Sequence, residues 1–210
     1  SSFRAMIAYN LEPEIYSITG LQAFLKIAQH QNISHYPIHI KLDTGMHRLG
    51  FEPHLIDELC SLLKNNNFVK VKSVFSHLAA SDDLQFDDFT KLQFQRFDAM
   101  YSELEKVLPS KPIRHILNTS GIFNYAEKQM EMVRLGIGLY GIGNSEQELK
   151  VLENVSTLKT IISQIREVLP EESIGYSRRF RVTQKMKVAT IPIGYADGIR
   201  RAWGNEKGFV

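Results

Sequence analysis

Cysteine pairs, long apolar runs and a secretory leader are all missing from this sequence. Its single thiol, Cys60, cannot form an internal disulfide, and no apolar stretch reaches the ~20 residues that a membrane helix needs. Residues 1–6 lack the charged-then-apolar order of a secretory signal. We therefore expect a cytoplasmic protein with no membrane partner.

A strong excess of charge of one sign is also absent. Among 210 residues, 25 Lys+Arg stand against 23 Asp+Glu, and the densest basic cluster is only Arg178, Arg179 and Arg181. A nucleic-acid surface needs a larger basic patch, so we expect no nucleic-acid partner. The composition, 43% hydrophobic and 23% charged, is that of an ordinary globular protein.

Residues 1–143 alternate strand-like and helix-like patterns, which is typical of repeated βα units. One helix is predicted after a Thr19 cap, with apolar residues at i, i+3, i+4 and i+7, and a second begins at Pro53. A long third helix ends at Pro109. Strands are predicted at 15–18, 38–42, 69–75, 113–117 and 132–140.

The pattern changes after a polar, acidic segment at 144–154, which is predicted to be a linker. Residues 155–168, 173–182 and 187–193 are rich in β-forming residues with no convincing helix between them, so 155–210 are predicted to begin a β domain. A (β/α)8 barrel usually needs ~250 residues. The pattern therefore leaves two α/β folds open for residues 1–143, a small open sheet or a partial TIM barrel.

Chemically useful side chains follow the second and third predicted strands. The turn after the second strand carries Lys41, Asp43 and Arg48 among glycines, at the strand end where parallel α/β folds bind ligands. Taken alone, this turn is better explained as an ordinary loop with a solvated ion pair. His77 follows the third strand, and a lone histidine in such a place is more often structural than catalytic.

Three further segments are ambiguous when they are taken singly. Asn118 and Thr119 suit a phosphate site and a helix cap equally well. Arg134 precedes glycines that permit close backbone approach. Tyr176 and Tyr195 each lie beside a turn, where packing is the simpler role.

Taken together, five motifs in this order resemble the alanine racemase family of pyridoxal-phosphate enzymes. The family has an N-terminal (β/α)8 barrel and a C-terminal β domain, so we expect a partial TIM barrel followed by the start of a β-rich domain. The motifs are Lys41-x-Asp43-Thr44-Gly45-Met46-x-Arg48-Leu49-Gly50, His77-x-Ala79-x-Ser81-Asp82, Asn118-Thr119, Met132-Val133-Arg134-x-Gly136 and Gly194-Tyr195-Ala196-Asp197-Gly198.

The resemblance implies a reaction with a base on each face of the substrate α-carbon, while pyridoxal phosphate delocalises the negative charge. One base is the family's Schiff-base lysine, and the other is a tyrosine of the partner subunit, here Tyr176. Because tyrosine has an unperturbed pKa of ~10, it needs help near neutrality. The family links it through a histidine, here His77, to an arginine, here Arg134, which donates to the cofactor's ring nitrogen and leaves that nitrogen unprotonated.

The resemblance also implies the binding residues of a homodimer. Arg48 would contact the cofactor's phenolic oxygen and the substrate carboxylate. Lys41 occupies a position that is often carbamylated in the family and would orient Arg48, and Tyr195 would line the partner's substrate entrance. No metal ligand is predicted. The cofactor phosphate would be bound by a set of neighbouring groups: Asn118, Thr119, Gly136 and Ile137.

Three features depart from the family pattern. Thr119 stands where serine is usual, which keeps the hydroxyl. Gly175-Tyr176-Ser177 stands where Ser-Tyr-Gly is common, so the local backbone is expected to differ. The cofactor lysine belongs to a Lys-x-x-Ala-Tyr-Gly motif that is not found here, so we expect a chain that begins after the first barrel units and is inactive alone.

The resemblance implies that the intact protein interconverts L-alanine and D-alanine for peptidoglycan synthesis. Three alternatives stay open: a racemase of broader amino-acid range, a decarboxylase of the same fold and a non-catalytic relic domain. The Asp-Thr-Gly-Met-x-Arg and Gly-Tyr-Ala-Asp-Gly motifs favour the racemase.

Overall fold

The computed structural model describes residues 2–204, and the chain divides into two compact units, Ser1–Val155 and Ser156–Val210. The first unit contains all the α-helices of the described residues, and the second contains short antiparallel strand pairs. None of the helices within residues 2–204 is long and apolar enough to cross a membrane.

A four-stranded parallel sheet forms the centre of the first unit. The strands are β1 (Glu14–Ile15), β2 (Tyr36–Lys41), β3 (Val69–Phe75) and β4 (Ile113–His115), hydrogen-bonded in that order. The prediction for β3 is confirmed at both ends. Because all four strands run in the same direction, the loops that follow them lie along one edge of the sheet.

The described part of the first unit has six α-helices. Helix α2 begins at Ile18 with Ser17 as its N-cap, so the predicted Thr19 cap is wrong by two positions: the Ser17 hydroxyl already accepts the Gly20 N–H. Helix α1 is not predicted from the sequence. The helices are α1 (Ser2–Ala8), α2 (Ile18–His30), α3 (Ile56–Leu63), α4 (Asp87–Val107), α5 (Thr119–Asn124) and α6 (Glu146–Val151).

The two faces of the sheet differ in polarity. Ile38 and Ile40 of β2 are fully buried in the hydrophobic core, whereas the alternate residues His39 and Lys41 lie on the opposite face. The strand register places polar and aromatic residues of neighbouring strands beside them. This second face, which we call the polar face, is formed by Glu14, His39, Lys41, Ser73, Phe75 and His115.

The strand predicted at 132–140 is wrong. Among the described residues, two backbone hydrogen bonds join this segment to the β4 region, from Met132 N to Arg114 O at 3.3 Å and from Arg134 N to Leu117 O at 3.1 Å. The segment then forms a 3-10 turn, Ile137–Tyr140. The pairing does not continue as a β-ladder, because the N–H groups of Gly136 and Gly138 donate to the Thr119 hydroxyl rather than to a neighbouring strand.

The second unit contains two antiparallel pairs. Strand β5 (Gln164–Val168) pairs with β8 (Met186–Thr190), and β6 (Ser173–Ile174) pairs with β7 (Phe180–Arg181). Residues 155–163, predicted to be β-rich, form no strand. In the first unit, the predicted linker at 144–154 includes α6, which Ser145 caps through its hydroxyl.

Candidate active site

Three loops at the carboxyl edge of the sheet carry residues singled out from the sequence. Strands β2, β3 and β4 end at Lys41, Phe75 and His115. Arg48, His77 and Asn118 follow those strand ends on successive loops. The sheet therefore places on one edge residues that are up to 70 positions apart in the sequence, from Arg48 to Asn118.

The loop after β2 is shaped by its own carboxylate. Asp43 is buried, and its Oδ1 accepts the N–H groups of Gly45 and His47 at 2.9 and 3.1 Å. Gly50 closes the loop at φ 135°, where an added Cβ would lie 2.6 Å from the Asp43 nitrogen, so only glycine fits. Arg48 is consequently presented at the exposed tip of a closed loop.

Gln93 of α4 is a buried organising residue that the sequence analysis missed. Its amide nitrogen donates to the Thr44 hydroxyl and to the His77 carbonyl, both at 3.1 Å, and its oxygen accepts the Ala79 N–H at 2.9 Å. A fully buried amide is therefore satisfied by the loops after β2 and β3. The signal in the sequence is a glutamine within the buried stripe of α4.

Lys41 is buried and paired. Its Nζ lies 3.1 Å from Oε1 of Glu14 and 5.5 Å from the centroid of the Phe75 ring. The ammonium group therefore has a carboxylate and an aromatic face as neighbours on the polar face.

Arg134 is anchored by the ends of β3 and β4. Its two Nη atoms donate to the carbonyls of Ser76, His115 and Ile116 at 2.5, 3.1 and 3.3 Å, and Nη1 also contacts Nδ1 of His115. These four contacts use all four Nη–H groups, whereas Nε–H has no partner among residues 2–204. Burial lowers the pKa of Arg134 to about 10, so it remains a cation at neutral pH.

The positive charges of three side chains act on His77. Burial lowers its pKa, and the charges of Arg134, Arg48 and Lys41 lower it further. The imidazole is therefore neutral at physiological pH and can accept a proton. Their electric field couples His77, on the loop after β3, to residues of the β2 region and to Arg134.

Thr119 organises the segment that follows Arg134. Its Oγ1 accepts the N–H groups of Gly136 and Gly138 at 3.0 and 3.1 Å, and a Cβ on Gly138 would lie 2.6 Å from the Thr119 methyl. With both lone pairs engaged, the hydroxyl proton remains to donate, and it has no acceptor among residues 2–204. Asn118 caps α5 through Oδ1, which accepts from Gly121 N at 2.9 Å. Ile137 begins the following 3-10 turn.

The two remaining predicted site residues belong to the second unit. Tyr176 is 96% exposed and Tyr195 is 72% exposed, each at the start of a 3-10 turn. Ser177 adopts φ 59°, in the left-handed region that glycine favours. The serine therefore takes a backbone conformation suited to the glycine that is common at this place in the family motif.

Replacing Ser177 by Gly is expected to stabilise the protein by about 0.5–1 kcal/mol, because a left-handed conformation strains a residue with a Cβ. Urea unfolding of the two proteins measures the difference. Ser177→Ala keeps the Cβ and serves as the control, for which no gain is expected. Equal stabilisation by both substitutions would contradict the backbone explanation.

Asp43, His47 and Glu52 are close enough to hold a metal ion, with ligand atoms within 4.8 Å of one another. The His47 Nδ1 already lies 3.4 Å from the Asp43 Oδ2. Arg96 lines the same cavity, so a metal would add positive charge beside a guanidinium. We assign no metal to this cluster.

Comparison with known proteins identifies the family. The sequence matches the alanine racemase N-terminal domain over residues 1–144 and the alanine racemase C-terminal domain over residues 155–210. Alanine racemase 1 of Clostridium acetobutylicum is 35% identical, over 94% of this chain and 52% of its own. The alanine racemase of Clostridium tetani is 36% identical, over 100% of this chain and 55% of its own.

Solved structures confirm the fold predicted from the sequence, a partial TIM barrel followed by a β-rich domain. The alanine racemase of Clostridium difficile 630 superposes with a TM-score of 0.80 at 29% identity, over 95% of this chain and 53% of that one. One from Bartonella henselae, solved with covalently bound pyridoxal phosphate, gives 0.78 at 24% identity, over 96% and 54%. The chain spans about half the length of the relatives it matches, and it belongs to the alanine racemase family.

Proposed function

We propose that the full-length protein is an alanine racemase, which interconverts L-alanine and D-alanine with pyridoxal phosphate. The observation that carries the proposal is the segment from Arg134 to Gly138. It joins an arginine anchored on two strand ends to a turn that closes on the Thr119 hydroxyl. A cation and a turn bonded to a hydroxyl, joined within one short segment, suit the two ends of this cofactor.

The turn offers donors to a phosphate group. The Thr119 hydroxyl accepts two N–H groups and keeps its own proton to donate, and a Cβ added on Gly136 would make only an ordinary contact with Thr119 Oγ1, at 3.6 Å. Asn118, Thr119 and Ile137 would hold the phosphate through the amide, the hydroxyl and the backbone N–H, and Gly136 would join them if its N–H left Thr119 Oγ1.

Arg134 fits the ring nitrogen of the cofactor. Its four Nη–H groups are engaged, so Nε–H is the donor that remains. Because a guanidinium does not surrender its proton, an acceptor bonded to it stays unprotonated. By keeping the ring nitrogen unprotonated, Arg134 would favour return of a proton to the α-carbon over side reactions.

Bound pyridoxal phosphate withdraws electrons from an attached amino acid, which makes its α-proton acidic. Tyr176 would receive or return that proton at its phenolic oxygen, on the face opposite the family's lysine. His77 would accept a hydrogen bond from the tyrosine because its imidazole is held neutral by burial, which lowers its pKa. Arg48 would orient the substrate carboxylate by a forked pair of N–H groups.

Lys41 is proposed to be carbamylated and to orient Arg48 in the full-length protein. Carbamylation needs a neutral amine and yields an anion. Glu14, 3.1 Å from Nζ, stabilises the ammonium and would repel the carbamate, so its side chain would have to turn away.

Replacing Glu14 by Gln is expected to increase the fraction of Lys41 that carries a carbamate. Carbon-13 NMR of the full-length protein in labelled bicarbonate measures this fraction. Glu103→Gln, which removes the partner of the exposed Lys106, is the matched control and should leave the signal unchanged. An unchanged or smaller signal in Glu14→Gln would contradict the competition between Glu14 and the carbamate.

We propose a cytoplasmic homodimer that supplies D-alanine for peptidoglycan. The almost fully exposed Tyr176 supports the dimer, because a tyrosine that serves as a base needs a second protein surface around it. Exposed apolar residues of the first unit also support a partner surface: Leu135, Ile137, Leu139, Tyr140 and Ile142. Sedimentation of the full-length protein measures its oligomeric state.

Chiral analysis of the products tests the proposed activity. The full-length protein is supplied with pyridoxal phosphate and with the L-forms of alanine, serine and lysine. Racemisation of alanine above the others is expected. Comparable rates for the three amino acids would indicate a broad-range racemase. Release of carbon dioxide would indicate a decarboxylase, and failure to bind the cofactor would indicate a non-catalytic relic.

A further inference from the structure

A continuous row of hydrogen bonds crosses the polar face from Arg134 to the far side of the sheet. His115 Nε2 lies 3.0 Å from Ser73 Oγ, and Ser73 Oγ lies 2.6 Å from His39 Nδ1. His39 Nε2 lies 2.8 Å from Oε2 of Glu12, whose other oxygen accepts from Lys72 at 2.7 Å. We call Arg134, His115, Ser73, His39 and Glu12 the relay row.

The Arg134 end fixes the direction of the hydrogen bonds. A guanidinium has donors and no acceptor, so the Nδ1 atom of His115 that it contacts must carry a lone pair. Burial and the charge of Arg134 lower the pKa of His115 to about 3, so the ring is neutral near neutral pH. Its proton is therefore on Nε2, and it donates to Ser73 Oγ.

The Glu12 end fixes the same direction. A carboxylate only accepts, so His39 donates to it from Nε2. Because Ser73 Oγ accepts from His115, its own proton points to its other partner in the row, Nδ1 of His39, which therefore accepts it. The buried hydroxyl of Ser73 therefore accepts from one imidazole and donates to the other, so it is satisfied on both sides.

An irregularity in the pairing of β2 with β3 places Ser73 within this row. A register shift between Ile38 and His39 moves the partner of the next residue from Lys72 to Ser73. Without this irregularity, a lysine would lie opposite His39 and the hydroxyl would be displaced. Bulges that redirect one side chain are typical of functional regions of sheets.

We propose that Glu12, His39 and Ser73 are positioning residues for Arg134. Through His115 they fix the orientation of its guanidinium, so that the uncommitted Nε–H points in one constant direction. The assignment of the row does not depend on the proposed function, whereas its consequence for catalysis rests on the proposed function.

Nitrogen-15 NMR of histidine-labelled and arginine-labelled protein tests the row without substrate or cofactor. Both His39 and His115 are expected to carry their ring proton on Nε2, and the two Nη groups of Arg134 should give separate signals. Substitution of Ser73 by Ala should shift the His39 Nδ1 signal, because that nitrogen loses its donor, and should broaden the Arg134 signals. Ser61→Ala, which removes an exposed hydroxyl bonded to its own helix, should change neither.

Several outcomes would overturn the assignment. A doubly protonated His39, a proton on Nδ1 of either ring, or unchanged His39 and Arg134 signals in Ser73→Ala would each do so. A doubly protonated His39 would donate to Ser73 from Nδ1, and the serine proton would then have no acceptor along the row.

Kinetics of the full-length protein separates this inference from the proposed function. Ser73→Ala is expected to lower kcat about fivefold to tenfold, the equivalent of one hydrogen bond, with little change in KM. An unchanged kcat would overturn the positioning role. Absence of racemisation in the unsubstituted protein, with the expected tautomers present, would instead overturn the proposed function and leave the row intact.

Discussion

Replacing Tyr176 by Phe in the full-length protein is expected to lower alanine racemisation ~100-fold or more, the usual contribution of a general base. The substitution removes one hydroxyl from a side chain that is 96% exposed in this chain, so it leaves folding almost unaffected. One face of the α-carbon would lose its base while the opposite face keeps the lysine. Chiral analysis of alanine, begun separately from each enantiomer, measures the rate.

Exchange of the α-proton with deuterated solvent distinguishes a lost base from a general loss of binding. With one base remaining, exchange should persist from one enantiomer and be lost from the other. Tyr9→Phe, which removes a hydroxyl from a tyrosine that is 77% exposed at the end of α1, is the control. Near-normal racemisation in both directions would show that Tyr176 is not a base.

The elements predicted well are those whose sequence pattern coincides with a local physical preference. Strand β3 alternates buried and exposed residues from Val69 to Ser73 and is bounded by turn residues, so its pattern is unambiguous. The apolar stripe of α3 is equally local, and Ile56, Leu59 and Leu63 are buried. In both elements, the residues that define the pattern are close neighbours in the sequence.

The elements predicted wrongly depend on distant partners. The apolar, glycine-containing segment 132–140 has the composition of a strand, but the N–H groups of Gly136 and Gly138 are taken by Thr119, which is 17 to 19 positions away. Helix α1 is short and has no buried residue of its own, so its sequence carries no strong periodic signal.

Only those site residues that belong to the sequence motifs could be predicted. Arg48, His77 and Arg134 belong to quoted motifs, whereas the contact of His39 with Ser73 spans 34 positions and that of His115 with Ser73 spans 42. A register irregularity within β2 and β3 decides which residues meet, and hydropathy patterns do not encode it. The alternation of polar and apolar residues along β2 does indicate a polar second face.

Acidification from pH 6.5 to pH 5 is expected to destabilise the protein by about 1.5 kcal/mol through His115 alone. Burial, followed by the charge of Arg134, lowers the pKa of His115 from 6.5 to about 3. In this window the unfolded chain binds a proton at His115 and the folded chain does not, so stability falls as the pH falls. His77, whose pKa burial also lowers, acts in the same direction.

The range from pH 6.5 to pH 5 separates the effect of histidine protonation on stability from that of carboxylate protonation. Hydrogen bonds lower the pKa of Glu12 and Glu131. The stability that such carboxylates contribute is lost mainly as the pH falls through and below the ordinary value of 4.5.

Urea unfolding at pH 6.5 and pH 5 measures the change in stability. His115→Asn is expected to be less stable at neutral pH, because Ser73 loses its donor, yet to lose less stability on acidification. His54→Asn, at an exposed histidine, is the control, and an equal pH dependence in His115→Asn and the unsubstituted protein would show that His115 is not the buried neutral group.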